Sequence, residues 1–106
     1  MSGIDRIRIE RRRQRSRKPG GEFYSLEHDD EHNSEEIACA AAVYAMPPEF
    51  RRLNQHLVEV LMPFDWYLKL ESGDRIRELV KAGALIAAEI DRLERLSASA
   101  IARGAA

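Results

Sequence analysis

The side chains with the most chemical potential in this chain are crowded into one run, Glu27-His28-Asp29-Asp30-Glu31-His32, followed at once by Ser34-Glu35-Glu36. Histidine and carboxylate at this density are the ligand types of hard and borderline divalent metals. On a helix, Asp29, His32 and Glu36 fall at i, i+3 and i+7 and share a face; His28, His32 and Glu36 do so at i, i+4 and i+8. The spacing carries two readings. One is a metal site, with carboxylates on Mg²⁺ or Mn²⁺, or histidines on Zn²⁺. The other is a solvated helix start, where the dipole favours acids.

Other chemistries find less footing. No serine sits in a nucleophile elbow, and Pro19-Gly20-Gly21 lacks the lysine and following helix of a phosphate loop. The single cysteine, Cys39, permits no internal disulfide; in its alanine-rich setting it reads as a small buried apolar residue. His56 reads as a solvated helix residue, and Trp66 and Tyr67 as core or interface anchors. Within the C-terminal segment, Glu78, Lys81 and Glu89 are the polar residues closest to an apolar stripe. Glu78 and Lys81 form an i, i+3 pair that either steadies the helix or points at the acidic run.

Four segments must position these groups. Near-zero net charge conceals a strong polarity: residues 1–18 carry eight basic side chains against Asp5 and Glu10, whereas residues 22–36 carry seven acids and no lysine or arginine. The basic segment, closed by Pro19-Gly20-Gly21, is expected to form an arm or short helix over 1–21. Its arginines suit either phosphates or the chain's own acidic run. Residues 22–106 then form a single helical domain. A helix ends at Pro47-Pro48, beginning either at Ser25 or at a Ser34 cap. A second helix, from Pro48 to about Met62, is expected to turn Phe50, Leu53, Leu57, Val60 and Leu61 to the core. The last and longest runs from about Asp74 to near Arg103. Its residues Ile76, Leu79, Gly83, Ile86, Ile90, Leu93 and Ser97 recur at alternating three- and four-residue spacing, a seam for another helix with Gly83 at a close crossing. The fold class is therefore all-α, a small bundle with one long C-terminal helix. A 106-residue chain with such a seam is expected to dimerise. No apolar run approaches the length needed to span a bilayer, and the arginine-rich start does not read as a signal peptide; a cytoplasmic protein is expected.

Two blocks carry a resemblance: Glu27 through Ala42, and Arg77-Glu78-Leu79-Val80-Lys81-Ala82-Gly83-Ala84-Leu85-Ile86-Ala87-Ala88-Glu89-Ile90-Asp91-Arg92-Leu93. With Glu10-Arg11-Arg12-Arg13-Gln14 and Phe64-Asp65-Trp66-Tyr67-Leu68-Lys69, they resemble a small protein family of bacteriophages and prophages. More distantly, the arrangement is similar to the MazG-like all-α nucleoside triphosphate pyrophosphohydrolases. That resemblance implies a dimer or higher oligomer and an acidic helix holding Mg²⁺ or Mn²⁺. It places Asp30, His32, Glu35 and Glu36 on that helix and Glu78 on a second one, with Lys81 where a second carboxylate is expected. Glu35, Glu36 and Glu78 become the candidate catalytic residues, Asp30, His32, Glu36 and Glu78 the candidate metal ligands, and Lys81 a candidate for phosphate. The expected ligand is a nucleotide, hydrolysed in the host cytoplasm. The alternative is a non-catalytic module binding a nucleotide or a host protein. Broad nucleic-acid binding is disfavoured, since the acidic run repels a polyanion.

Overall fold

Ser2 opens the first helix with a reciprocal cap. Its hydroxyl accepts from the Asp5 N–H at 3.1 Å, and the Asp5 carboxylate accepts from the Ser2 N–H at 3.2 Å, satisfying donors that a helix start otherwise leaves orphaned. In the computed structural model this helix, α1, spans Gly3–Arg15. It is followed by α2 (Leu26–Glu31), α3 (Glu36–Ala45), α4 (Pro48–Leu53), α5 (Gln55–Leu61) and α6 (Arg75–Ala102). The structure describes residues 1–16, 21, 26–31, 35–62 and 74–104, with backbone only at 26–28. Among the described residues there is no strand, and the chain is all-α. His32, Ser34, Trp66, Tyr67 and the Pro19-Gly20 breaker lie outside them.

The ends of the helices follow local chemistry. Pro47 and Pro48 stop α3, and Pro48 sits at the start of α4, where its missing N–H costs nothing. The helix expected to run on to Met62 instead breaks at Asn54, whose side-chain amide donates to the Phe50 carbonyl at 2.8 Å. Such side-chain bonding competes with the helical ladder and offers the backbone a way out of it. Asp74 caps α6 by accepting from the Arg77 N–H at 2.9 Å.

The long helix organises the rest, packing against both α3 and α1. The core between α3 and α6 is Ile37, Ala40, Ala41 and Tyr44 against Ala82, Leu85 and Ala88, with Met62 at its edge. Alanine keeps both helices narrow, so their backbones approach closely. The crossing expected at Gly83 is present and belongs to α1: a Cβ built there would lie 2.5 Å from the Ile7 Cδ1.

Two expectations about the core are corrected. On α6, Ile76, Leu79, Ile86, Ile90 and Leu93 are 42–61% exposed, while Glu78, Lys81, Glu89 and Arg92 are buried with the alanines. On α4 and α5, Phe50, Leu53, Leu57 and Val60 are likewise exposed. On α6 the small residues pack inward, because small side chains let helices approach and the polar ones find charged partners there, whereas α4 buries only Arg51 and α5 no residue. Cys39 is half-buried rather than buried.

Two charge clusters at opposite ends of the α3–α6 pair

The helices α3 and α6 run antiparallel, which splits the buried charge into two groups. At the C-terminal end of α3, two arginines close the helix. Arg51 donates to the carbonyls of Val43, Tyr44 and Met46 at 3.1, 3.3 and 2.9 Å. Arg75 donates to those of Tyr44 and Met46 at 3.0 and 2.9 Å. Cations here satisfy the last carbonyls and complement the negative end of the helix dipole. Both guanidiniums also hold Glu78, Arg51 at 2.9 Å and Arg75 at 3.2 Å. One turn on, the ammonium of buried Lys81 lies 5.8 Å from the centroid of the Tyr44 ring, a cation–π distance.

The second group gathers at the other end, where α2 and the start of α3 meet α6 and α1. Asp30 pairs with Arg95 at 2.8 Å. Asp29, only 2% exposed, pairs with Arg11 of α1 at 3.4 Å. Arg11 also reaches Asp91 at 3.6 Å, so the basic segment does dock on the acidic run. Arg92 is 4% exposed and donates to Glu89 through two nitrogens. Its basicity is raised first by that hydrogen bond and further by the nearby charges of Glu89, Asp30 and Glu36, against the opposing effect of burial. Glu35 enters α3 exposed and in the left-handed region, at φ 63°, a conformation that costs a non-glycine residue about 1–2 kcal/mol.

The sequence candidates are therefore distributed rather than gathered. Asp30, Glu35 and Glu36 stand at one end with Arg92 and Arg95. Glu78 and Lys81 stand at the other, and the eleven-position step from Glu78 to Glu89 on α6 corresponds to about 16 Å along the axis. His32 lies outside the described residues, as does the His28 side chain. On α6 it is Arg92, itself bound to Glu89, that lies near the charge of Glu36, and Arg11 and Arg95 complete the setting. Sequence reasoning singled out Glu89 only as polar beside the stripe. The available signal was the pairing of helix ends: in an antiparallel hairpin the start of α3 must meet the later turns of α6.

The two ends differ in what they fit. Around Glu78 the described residues place one carboxylate among three cations, Arg51, Arg75 and Lys81, a balance that does not favour a divalent cation. At the acidic end Asp29, Asp30, Glu36, Glu89 and Asp91 face Arg11, Arg92 and Arg95. Among the described residues this is an excess of two negative charges, the charge of one divalent cation. Among the described residues no three histidine, cysteine or carboxylate groups already converge as a ligand set. The arginines hold the carboxylate oxygens instead, and the half-exposed Asp30–Arg95 pair is the one that exchanges most cheaply. Two buried nitrogens of Arg11, Nε and Nη1, and the Nε of Arg95 have no hydrogen-bond acceptor among the described residues, which suits an oxygen-rich anion beside the carboxylates. No protein-family model matches the chain, and no curated protein or solved structure does either.

Proposed function

We propose that the protein is a phage-type accessory protein of MazG-like helical design that binds a nucleoside phosphate with Mg²⁺ or Mn²⁺ in the host cytoplasm. The single observation that carries this reading is the five-to-three balance of carboxylates and guanidiniums among the described residues at the junction of α1, α2, α3 and α6. In this reading Asp30, Glu36 and Glu89 hold the cation, and Glu35 stands at the rim. Arg11, Arg92 and Arg95 offer forked donors to phosphate oxygens. A bound divalent ion supplies charge neutralisation and an activated water. Hydrolysis of a phosphoanhydride follows from the resemblance, with Glu36 or Glu35 as the carboxylate that takes the proton from water. Glu78 and Lys81 act instead as supports that hold the end of α3.

Thermal-shift titration with nucleoside triphosphates, with and without Mg²⁺ or Mn²⁺, tests it. Ligand at a hundred times its Kd is expected to add about 2.7 kcal/mol to stability. Glu36→Gln should abolish the metal-dependent part and leave helical content unchanged, whereas Glu78→Gln should lower stability and keep the metal response. No shift with any nucleotide under any ion removes the reading. The alternative, a binder without turnover, is favoured by the arginines that already occupy the carboxylate oxygens; it predicts the same shift and no release of pyrophosphate.

A further inference from the structure

We propose that the solvent side of α1 docks, without regard to base sequence, on the phosphate backbone of nucleic acid through Arg8, Arg12 and Arg15. The observation is a division among the arginines of this helix. Arg11 is engaged with Asp29 and Asp91, and Arg13 with Glu10, on the side where Glu10 and Gln14 are buried. Arg8, Arg12 and Arg15 are exposed, and their i, i+4 and i+7 spacing puts them on one face. Arg12 and Arg15 have no carboxylate partner among the described residues. Arg8 has only the exposed Asp5, at 3.9 Å, a pair that surface exposure leaves weak. Three guanidiniums thus stand along about 10 Å of helix with almost nothing of their own chain to neutralise them.

Three features assign the occupant to nucleic acid. First, the cations are all arginine, whose planar fork matches phosphate oxygens, and a duplex offers a charge every 1.7 Å or so of its axis, dense enough to meet all three at once. Second, the repulsion expected from the acidic run is largely met inside the fold. Asp29 is 2% exposed and held by Arg11, and Asp30 is paired with Arg95. Third, the arginines have no apolar row beside them. Of the exposed aliphatics of α1, Met1 and Ile4 precede all three, and Ile9 sits about 100° round the helix from Arg8. A helix that lies in a membrane surface buries a continuous apolar face next to its cations, and α1 gives its own to the fold. Arg12 and Arg15 lie in the last turn, where they also complement the helix dipole; Arg8 lies outside it, so the dipole does not account for the row.

This docking is independent of the nucleotide reading, and its test needs neither metal nor nucleoside triphosphate. Fluorescence anisotropy of the full chain with a short labelled DNA duplex should show affinity falling with salt at a log–log slope of about −2.7, three phosphates at 0.9 each, or roughly 40-fold between 50 and 200 mM. Two duplexes of unrelated sequence should bind alike. Arg8→Gln, Arg12→Gln and Arg15→Gln should each flatten the slope by about 0.9, and the triple variant should lose binding while circular dichroism stays helical. Arg52→Gln, which removes an exposed arginine already held by Glu49, should change nothing. A wild type that binds no duplex at low salt overturns the proposal, as does a triple variant that binds like wild type or single variants that keep the full slope. Tighter binding of polyglutamate, or of vesicles of phosphatidylcholine and phosphatidylglycerol, than of duplex at equal charge also overturns it, in favour of an acidic protein or a membrane.

Discussion

Glu10 shows how single residues in this molecule trade solvation for partners. It is 1% exposed yet holds Arg13 through two hydrogen bonds at 2.7 and 2.8 Å and Arg77 at 2.8 Å. Burial on its own would raise the carboxyl's pKa, but Arg13 and then Arg77 outweigh it, and the net shift is downward from the ordinary 4.5. A carboxylate with a depressed folded-state pKa contributes stability that is complete above its unfolded value and is lost as pH falls through the folded one. Glu10 should therefore stabilise the fold at neutral pH, and the contribution should fade below about pH 4.5. Urea unfolding of wild type and Glu10→Gln between pH 7 and pH 3 checks this. The gap between the two proteins should narrow with acid; a constant gap would mean that the ionised form gains nothing from the arginines.

At the scale of elements, Gly83 sets the distance between α1 and α6. In a helix interior, alanine would gain about 1 kcal/mol over glycine, but its Cβ would meet Ile7 Cδ1 at 2.5 Å and Cγ1 at 2.8 Å. The Ile7 side chain is able to swing, so Gly83→Ala should lie near neutrality. Gly83→Leu has no such escape and should cost about 1–3 kcal/mol through overpacking, seen as a lower urea midpoint with an unchanged slope. The α3–α6 contact obeys the same logic with alanine in place of glycine. Its thin core delivers little apolar burial, and the Arg51–Glu78–Arg75 clamp at the end of α3 restrains the helix where packing is sparse.

Over the whole molecule, Arg11 joins three helices, reaching from α1 to Asp29 on α2 and Asp91 on α6. Arg11→Met should destabilise the fold by about 1–3 kcal/mol, since Asp29 stays buried and loses a charged partner; the urea midpoint measures it. Salt should act more on Arg8–Asp5, Arg52–Glu49 and Arg95–Asp30, whose carboxylates are half exposed or more, because screening needs access to solvent. A midpoint for Arg11→Met equal to wild type would show that the Arg11 pairs add nothing to the docking of α1. No helix among the described residues is long and apolar enough to cross a membrane.

Local signals determined much of this protein. The Pro47-Pro48 pair, a helix start near Asp74 and a long three-four repeat were legible because each acts within a few residues, and they set the all-α class and the extent of α6. Gly83 as a crossing point was legible too, since a glycine inside a strong helix pattern implies a close neighbour. Tertiary structure alone decided which face of α6 is buried. Periodicity reports that a helix has an apolar side, but not whether that side meets its own chain; here alanines and paired charges fill the interior and the isoleucines and leucines stay outside. The candidate site divides along the same line. Acids and histidines in one run announced carboxylate chemistry, and Lys81 announced a cation. That Glu36 would come near Arg92, with Glu78 held at the far end by Arg51 and Arg75, depended on the antiparallel register of two helices separated by residues 46–74, which no local spacing encodes.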